Sequence, residues 1–227
     1  MKIGGLQKCS FIDYPGKISA IIFTIGCNFH CPYCHNPELV NETAEEIPET
    51  EVFNFLSRRK NIIDAVTITG GEPTIHSDLI PFIQKIKALG FLVKLDTNGT
   101  NPMVIEQIQN EKLVDYIAMD IKSPLDTYET TVSRPVDIEA IKKSISQLLT
   151  GTLPYEFRTT VVKSLLTSDD IKSIGKSIHG ARLHYLQKFI PTKTLNPTFL
   201  RKTTYNDSEF EHLREIMSAY VDECIIR

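Results

Sequence analysis

Several features are missing from this sequence, and each absence excludes a class of protein. No run approaches the roughly 18 uninterrupted apolar residues of a membrane span. The start, MKIGGLQKCSFIDYPG, lacks the apolar core of a secretory leader. A cytoplasmic protein that does not engage a membrane is expected. There is no long basic run and the net charge is -3, so electrostatic capture of nucleic acid is not its main purpose. Small molecules and proteins are the expected partners. Repeats, linkers and low-complexity tracts are absent too. The 227 residues, 41% of them hydrophobic, suffice for one substantial core, so a single domain over 1–227 with short terminal extensions is expected. Cysteine is scarce and odd in number. Five cysteines, three of them between 27 and 34, make no disulfide framework; in a reducing compartment they read as metal-binding or catalytic.

What the chain does contain is an alternation of short apolar runs with longer segments at helical spacing. KISAIIFTI (17–25) precedes IPETEVFNFLSRRK (47–60), where Pro48 and Glu49 suit a first helical turn. DAVTITG (64–70) precedes SDLIPFIQKIKALG (77–90), with Ser77 as N-cap and Gly90 as stop. The pattern recurs in FLVKLDTNG with PMVIEQIQN, VDYIAMDIK with VDIEAIKKSISQLL, YEFRTTVV with SDDIKSIGKSI, and RLHYLQKFI with DSEFEHLREIMSAYV. Near-continuous apolar strands alternating with amphipathic helices predict a parallel sheet covered by helices, joined by right-handed crossovers. Periodicity leaves open whether that sheet is doubly wound or a partial barrel.

Polar and special residues gather just after the strands: Cys27 to Cys34, Gly70 to Pro73, Asp96 to Gly99, then Asp120 and Lys122. In parallel α/β proteins, sites assemble from loops at the carboxyl ends of the strands. The C-x3-C-x2-C loop admits two readings. A structural zinc would need His35, Cys9 or Cys224 as fourth ligand, but the second chelating pair usual for zinc is missing, and neighbouring Cys34 and His35 would struggle to reach one ion. A four-iron cluster held by three thiolates would instead leave one iron open to an exogenous ligand.

With Tyr33 before the last cysteine, Cys27, Cys31 and Cys34 form a loop that resembles the signature of radical S-adenosylmethionine enzymes. The resemblance implies a 4Fe-4S cluster whose open iron is chelated by S-adenosylmethionine. An electron from the reduced cluster then cleaves the sulfonium to a 5'-deoxyadenosyl radical. TGGEP (69–73) resembles the family's Gly-Gly-Glu-Pro motif, in which Gly70 and Gly71 bring the backbone close and Glu72 meets the methionyl ammonium. Asp120 and Lys122, two apart on a strand, point to one face. By resemblance they lie near the methionyl carboxylate, where Asp96 and Asp120 could also hold a monovalent cation. Arg158 would approach the ribose or methionyl end, Gln187 the adenosine side, and Tyr33 the adenine. The bland alternatives are an edge-strand arginine at 158, a solvent-facing polar at 187 and loop packing by Tyr33. His30 and His35 could orient the cysteines, whereas Cys9 and Cys224 read as small buried hydrophobes.

The stretch 9–40, CSFIDYPGKISAIIFTIGCNFHCPYCHNPELV, is similar to the N-terminal signature of anaerobic ribonucleoside-triphosphate reductase activating proteins, which belong to the glycyl-radical enzyme activases. That similarity implies an incomplete (βα)6 barrel of TIM-like type with outer helices. The implied activity is removal of hydrogen from a glycine of the reductase or of another glycyl-radical enzyme. No ferredoxin-like insert is present, so electrons would come from a separate flavodoxin or ferredoxin. FIDYPG (11–16) reads equally as a turn or as a partner contact. The polar stretch 191–207 reads as a solvated connection, as a segment closing over the site or as a partner contact. A radical enzyme acting on a small molecule and a non-enzymatic zinc-binding module are the alternatives.

Overall fold

Every apolar run picked out above becomes a strand, and two further strands flank them. The computed structural model describes Met1–Arg227. Its strands are β1 (Ile3–Ser10), β2 (Ser19–Thr24), β3 (Ala65–Gly70), β4 (Leu92–Thr97), β5 (Tyr116–Asp120), β6 (Tyr155–Val161), β7 (Ala181–Lys188) and β8 (Val221–Ile226). They hydrogen-bond in chain order as one 8-stranded sheet. β2 to β4 and β6 to β8 pair in parallel, while β1 runs antiparallel to β2. The expected (βα)6 core corresponds to β2 through β7, with β1 and β8 as additions. β1 (IGGLQKCS) escapes a sequence reading because its middle is exposed and glycine-rich, and β8 (VDECII) because Asp222 and Glu223 interrupt its apolar pattern.

The helices are α1 (Pro37–Val40), α2 (Glu49–Arg59), α3 (Leu79–Ala88), α4 (Pro102–Asn110), α5 (Tyr128–Val132), α6 (Ile138–Thr150), α7 (Ser168–Ser177) and α8 (Asp207–Met217). In α3 the buried Leu79, Phe82, Ile83 and Ile86 fall on one stripe at helical spacing. Its N-cap is Asp78 rather than Ser77, and that carboxylate takes the Met1 amino group. Gly90 has φ 91 and stops the helix as expected. Capping boxes open α7 (Thr167 with Asp170) and α8 (Asn206 with Glu209), each contributing about 1 kcal/mol.

The chain divides into two compact units. The first comprises Met1–Asn28, Glu38–Thr97 and Met103–Ile117; the second comprises Phe29–Pro37, Asn98–Pro102 and Ala118–Arg227. In the first, the rows Ala20–Val66–Val93 and Ile22–Ile68–Leu95 form an apolar face with every member at 0% exposure. The opposite face carries the row Ile21–Thr67–Lys94 and, two residues on from Lys94, Asp96. Strand alternation thus separates a packing face from a polar face. Truncating Ile22 or Ile68 to alanine would cost about 2–5 kcal/mol. The FIDYPG turn joins β1 to β2, with Phe11 and Ile12 exposed and Tyr14 packed on Tyr116 at 6.0 Å. It precedes β2 while Cys27 follows it, a separation of roughly 20 Å along the strand.

In the second unit Phe157, His184 and Cys224 form one row across β6, β7 and β8. His184 is fully buried, with Nε2 3.0 Å from Thr159 Oγ1 and Nδ1 without a partner. Burial pushes its pKa down to about 3. The unfolded chain therefore takes up a proton below about pH 6.5 that the folded chain refuses, and stability falls as pH drops from there toward 3. Chemical denaturation between pH 7 and 5 should show the wild type losing more stability than His184→Leu. Below the unfolded pKa the difference should approach about 1.4 kcal/mol per pH unit. Parallel curves would mean that His184 takes up its proton as readily in the fold as in the unfolded chain.

Candidate active site

In the first unit, the loops after β2 and β3 lie backbone against backbone. Gly26 takes φ 93 and its N–H donates to Leu39 O at 2.8 Å, while its carbonyl accepts the Glu72 N–H at 2.8 Å. The Gly71 N–H donates to Thr24 O at 2.9 Å. Both glycines of the GGEP motif are dictated by this approach. A Cβ at Gly70, where φ is 114, would lie 2.4 Å from Thr24 N, and a Cβ at Gly71 would lie 1.8 Å from Gly26 O. Cys27 follows Gly26 directly, and Glu72 follows Gly71.

The Glu72 side chain is 1% exposed. One of its oxygens, Oε1, accepts from Thr74 Oγ1 at 2.6 Å, Thr97 Oγ1 at 2.7 Å and Thr74 N at 3.1 Å. Glu72 thereby also caps the short helix Pro73–Ile75, as the turn reading of TGGEP expects. Thr97, the last residue of β4, ties the two strand ends together. Earlier on β4, Lys94 Nζ donates to Asp96 Oδ1 at 2.7 Å, and both residues are buried.

The second unit carries Cys31, Tyr33 and Cys34 on the segment Phe29–Pro37. The Cys34 N–H donates to Cys31 O at 3.0 Å, and the His30 N–H donates to Val132 O at 2.8 Å. Residues 189–196 clamp this segment from outside. The Leu195 N–H donates to Cys34 O and the Asn196 N–H to Pro32 O, each at 2.9 Å. His35 stacks on Phe189, with Nε2 2.8 Å from Ile190 O. The stretch from 191 therefore begins as a brace for the cysteine loop, a role with no signal in its polar composition.

None of the three cysteines is in a disulfide; Cys31 is buried and the others are half-buried. Burial pushes the Cys31 thiol up to about 11, with the Lys122 charge opposing it. Binding of iron would reverse that shift, because metal binding releases the proton. Tyr33 is 4% exposed and its hydroxyl has no hydrogen-bond partner. Cysteine is the residue type that iron-sulfur clusters take, so the chemistry of the cysteine side chains fits such a cluster. The zinc candidates fare worse: His35 is engaged elsewhere, and Cys224 is buried in β8. Cys9 is exposed on β1, not buried as expected. Nowhere are three His, Cys, Asp or Glu side chains gathered around a single-ion position.

Asp120 ends β5 between two cations. Its Oδ1 accepts Arg158 Nε at 2.7 Å and its Oδ2 accepts Lys122 Nζ at 3.0 Å. Burial would raise the carboxyl pKa, but the Arg158 and Lys122 charges outweigh it and hold it well below the usual carboxylate range. The same pairing holds the Lys122 ammonium well above its ordinary value against burial. Tyr128 orders this strand end: its hydroxyl donates to Asp120 O at 3.3 Å and accepts the Lys122 N–H at 3.1 Å. That residue went unnoticed in the sequence because a tyrosine six positions beyond the motif carries no pattern of its own. Arg158 and Gln187 share one sheet face, Gln187 level with Thr160, so Arg158 is an ion-paired strand arginine and not a solvent-reaching edge residue.

Strand order and cysteine loop together define a class, parallel α/β proteins with a thiolate-rich first crossover. A family model described as the Radical SAM superfamily matches residues 21–165. A Methanocaldococcus jannaschii protein bearing the name glycyl-radical enzyme activating enzyme is 36% identical over 99% of this chain and 95% of its own. The pyruvate formate-lyase-activating enzyme of Listeria monocytogenes is 33% identical over 53% of each chain. The crystal structure of Streptococcus suis SuiB bound to S-adenosylmethionine matches with TM-score 0.70 over 91% of this chain and 49% of that one. At 15% identity, this match bears on the fold alone. The chain belongs to the radical SAM superfamily and, within it, to the glycyl-radical enzyme activating enzymes. It is an enzyme with the superfamily's partial TIM-like barrel fold, and enzymes of this family work with a 4Fe-4S cluster and S-adenosylmethionine. No helix is long and apolar enough to cross a membrane.

Gly71→Ala should drive a methyl into the carbonyl that fixes Glu72. We expect destabilisation of about 3 kcal/mol in urea unfolding and loss of S-adenosylmethionine binding. Wild-type stability would show that the two loops separate at little cost.

Proposed function

We propose that this activase acts on anaerobic ribonucleoside-triphosphate reductase, generating the glycyl radical of that enzyme. The observation that carries the choice of partner is the stretch 9–40, whose similarity to the reductase activating proteins extends well beyond the cysteine motif. The Listeria relative favours a second partner, a pyruvate formate-lyase, through 132 aligned residues. A flavodoxin or ferredoxin is the proposed electron donor.

The residues divide the work. Cys27, Cys31 and Cys34 hold the cluster, which when bound supplies the electron that cleaves S-adenosylmethionine. Gly70 and Gly71 let main chain approach the methionyl group, and Glu72 takes its ammonium. The three donors on Glu72 Oε1 fix the carboxylate in place. Lys122 and Arg158 offer positive charge to the carboxylate and ribose ends, with Asp120 setting their positions. Asp96 orders the methionyl side, Tyr33 meets the adenine with ring and hydroxyl, and Gln187 lines the adenosine side. No general acid or base is needed at the substrate carbon, because hydrogen abstraction moves a hydrogen atom and not a proton. The chain's task is orientation and exclusion of water.

The test is anaerobic. The protein is reconstituted with iron and sulfide, reduced and given S-adenosylmethionine. 5'-Deoxyadenosine and the electron paramagnetic resonance spectrum are then followed with the reductase, with pyruvate formate-lyase, or with neither. A glycyl doublet with the reductase alone supports the proposal; a doublet with the lyase alone transfers it. Deoxyadenosine without any protein radical would point to a small-molecule substrate. Alanine at Cys27, Cys31 or Cys34 should abolish cluster and cleavage together. Glu72→Gln should keep the cluster and weaken S-adenosylmethionine binding by roughly tenfold or more, the loss expected for a charged hydrogen bond. Unchanged affinity would move the ammonium contact elsewhere.

A further inference from the structure

The cation site that the family resemblance implies, with Asp96 and Asp120 as its carboxylates, is at odds with how both are already engaged. Asp96 Oδ1 accepts Lys94 Nζ at 2.7 Å. Lys94 lies two residues earlier on the same strand and face, and at 1% exposure it is one of the largest fully buried side chains. Its ammonium is 5.9 Å from the Tyr116 ring centroid, within reach of a cation–π attraction. Asp120 already binds two protein cations, Arg158 and Lys122. A sodium or potassium ion placed on Asp96 would sit beside a buried ammonium, where repulsion is little screened by solvent.

We infer that Lys94 is a built-in counter-ion, its ammonium doing for Asp96 what a dissociable monovalent cation would do, so that S-adenosylmethionine binding here requires neither sodium nor potassium. Lysine suits the task because its flexible stem can lie along the Ile21–Thr67 row while the compact charge reaches one oxygen. An unpaired Asp96 in so buried a place would demand a cation from solution. The presence of Lys94 makes Asp96 a fixed dipole whose charge is balanced at any salt composition. This inference rests on Asp96 belonging to the S-adenosylmethionine site proposed above.

The experiment uses the reconstituted, unreduced holoenzyme, so that nothing turns over, in tetramethylammonium, sodium or potassium chloride at one ionic strength. S-adenosylmethionine affinity is measured by equilibrium dialysis, and ²³Na line width is recorded separately without S-adenosylmethionine. For the wild type we expect affinities within about twofold across the salts and no protein-induced sodium broadening. Lys94→Met should bind roughly tenfold more weakly in tetramethylammonium, the loss expected when a charged partner is removed. It should recover with potassium or sodium and broaden the sodium line. Wild-type affinity that drops several-fold without sodium or potassium, or sodium broadening by the wild type, overturns the inference. No binding by the wild type in any salt would overturn the site assignment instead, and the sodium line width would still decide whether Lys94 excludes the ion. Should Lys94→Met fail to fold, the two wild-type measurements alone settle the matter.

Discussion

The carbonyl of Gly26 is the contact on which the junction of the loops after β2 and β3, and with it the first half of the proposed site, depends. It accepts the Glu72 N–H, and it sits where any side chain at 71 would have to be. The residue after Gly26 is Cys27, a proposed cluster ligand, and the residue after Gly71 is Glu72, the carboxylate proposed for the methionyl ammonium. One peptide-to-peptide contact therefore sets the positions of two functional groups far apart in sequence. The close approach explains why the motif has glycine at both positions. The Gly26 N–H is in turn bonded to Leu39 in α1, so the helix that follows the cysteine loop braces the same peptide.

In the second unit the same task is solved with side chains and a late segment. Tyr128, fully buried, bridges the Asp120 carbonyl and the Lys122 N–H and packs edge-on against Phe29 at 6.0 Å. It thus couples the strand end bearing the ion trio to the start of the cysteine loop. On the loop's other side, Leu195 and Asn196 donate their N–H groups to the carbonyls of Cys34 and Pro32. A cysteine loop with every turn tied to backbone loses little further entropy when its thiolates bind iron, which favours metal uptake.

The strands at the core of the fold could be read directly, because buried parallel strands are continuous apolar runs and their helices carry a clean stripe. The flanking strands could not. β1 and β8 are bound on one side only, so their residues answer to solvent as much as to packing, and polar Gln7, Lys8, Asp222 and Glu223 hide them. The proposed site residues Cys27 to Cys34, Gly70 to Glu72, Asp120 and Lys122 stand out in the sequence because they fall in short, closely spaced motifs. Arg158's ion pair was foreshadowed by the cost of burying its charge, but its partner was not. Tyr128, Thr97 and Lys94 were invisible as site residues. Each acts through a neighbour reached by strand pairing or a turn, and such neighbours leave no local pattern. The buried Lys94 is the sharpest case: in sequence it is one more polar residue in an apolar strand, and only the register with Thr67 and Ile21 shows it buried.

The polar faces of both units share one property, carboxylates already met by donors from the chain itself. Asp96 has Lys94, Asp120 has Arg158 and Lys122, and Glu72 has two threonine hydroxyls and a backbone N–H. Asp120, which Arg158 and Lys122 hold well below the usual carboxylate range, resists protonation and makes a poor proton shuttle, because proton transfer would break a charge-assisted bond in a poorly solvated place. For acid–base catalysis that would be a defect. For an enzyme that abstracts a hydrogen atom it is an advantage. Fixed charges orient a charged cosubstrate without offering protons to a reactive radical, and neutralised carboxylates can be buried with little water left beside them to quench it. The internal ion pairs thus serve the chemistry by remaining unchanged throughout it.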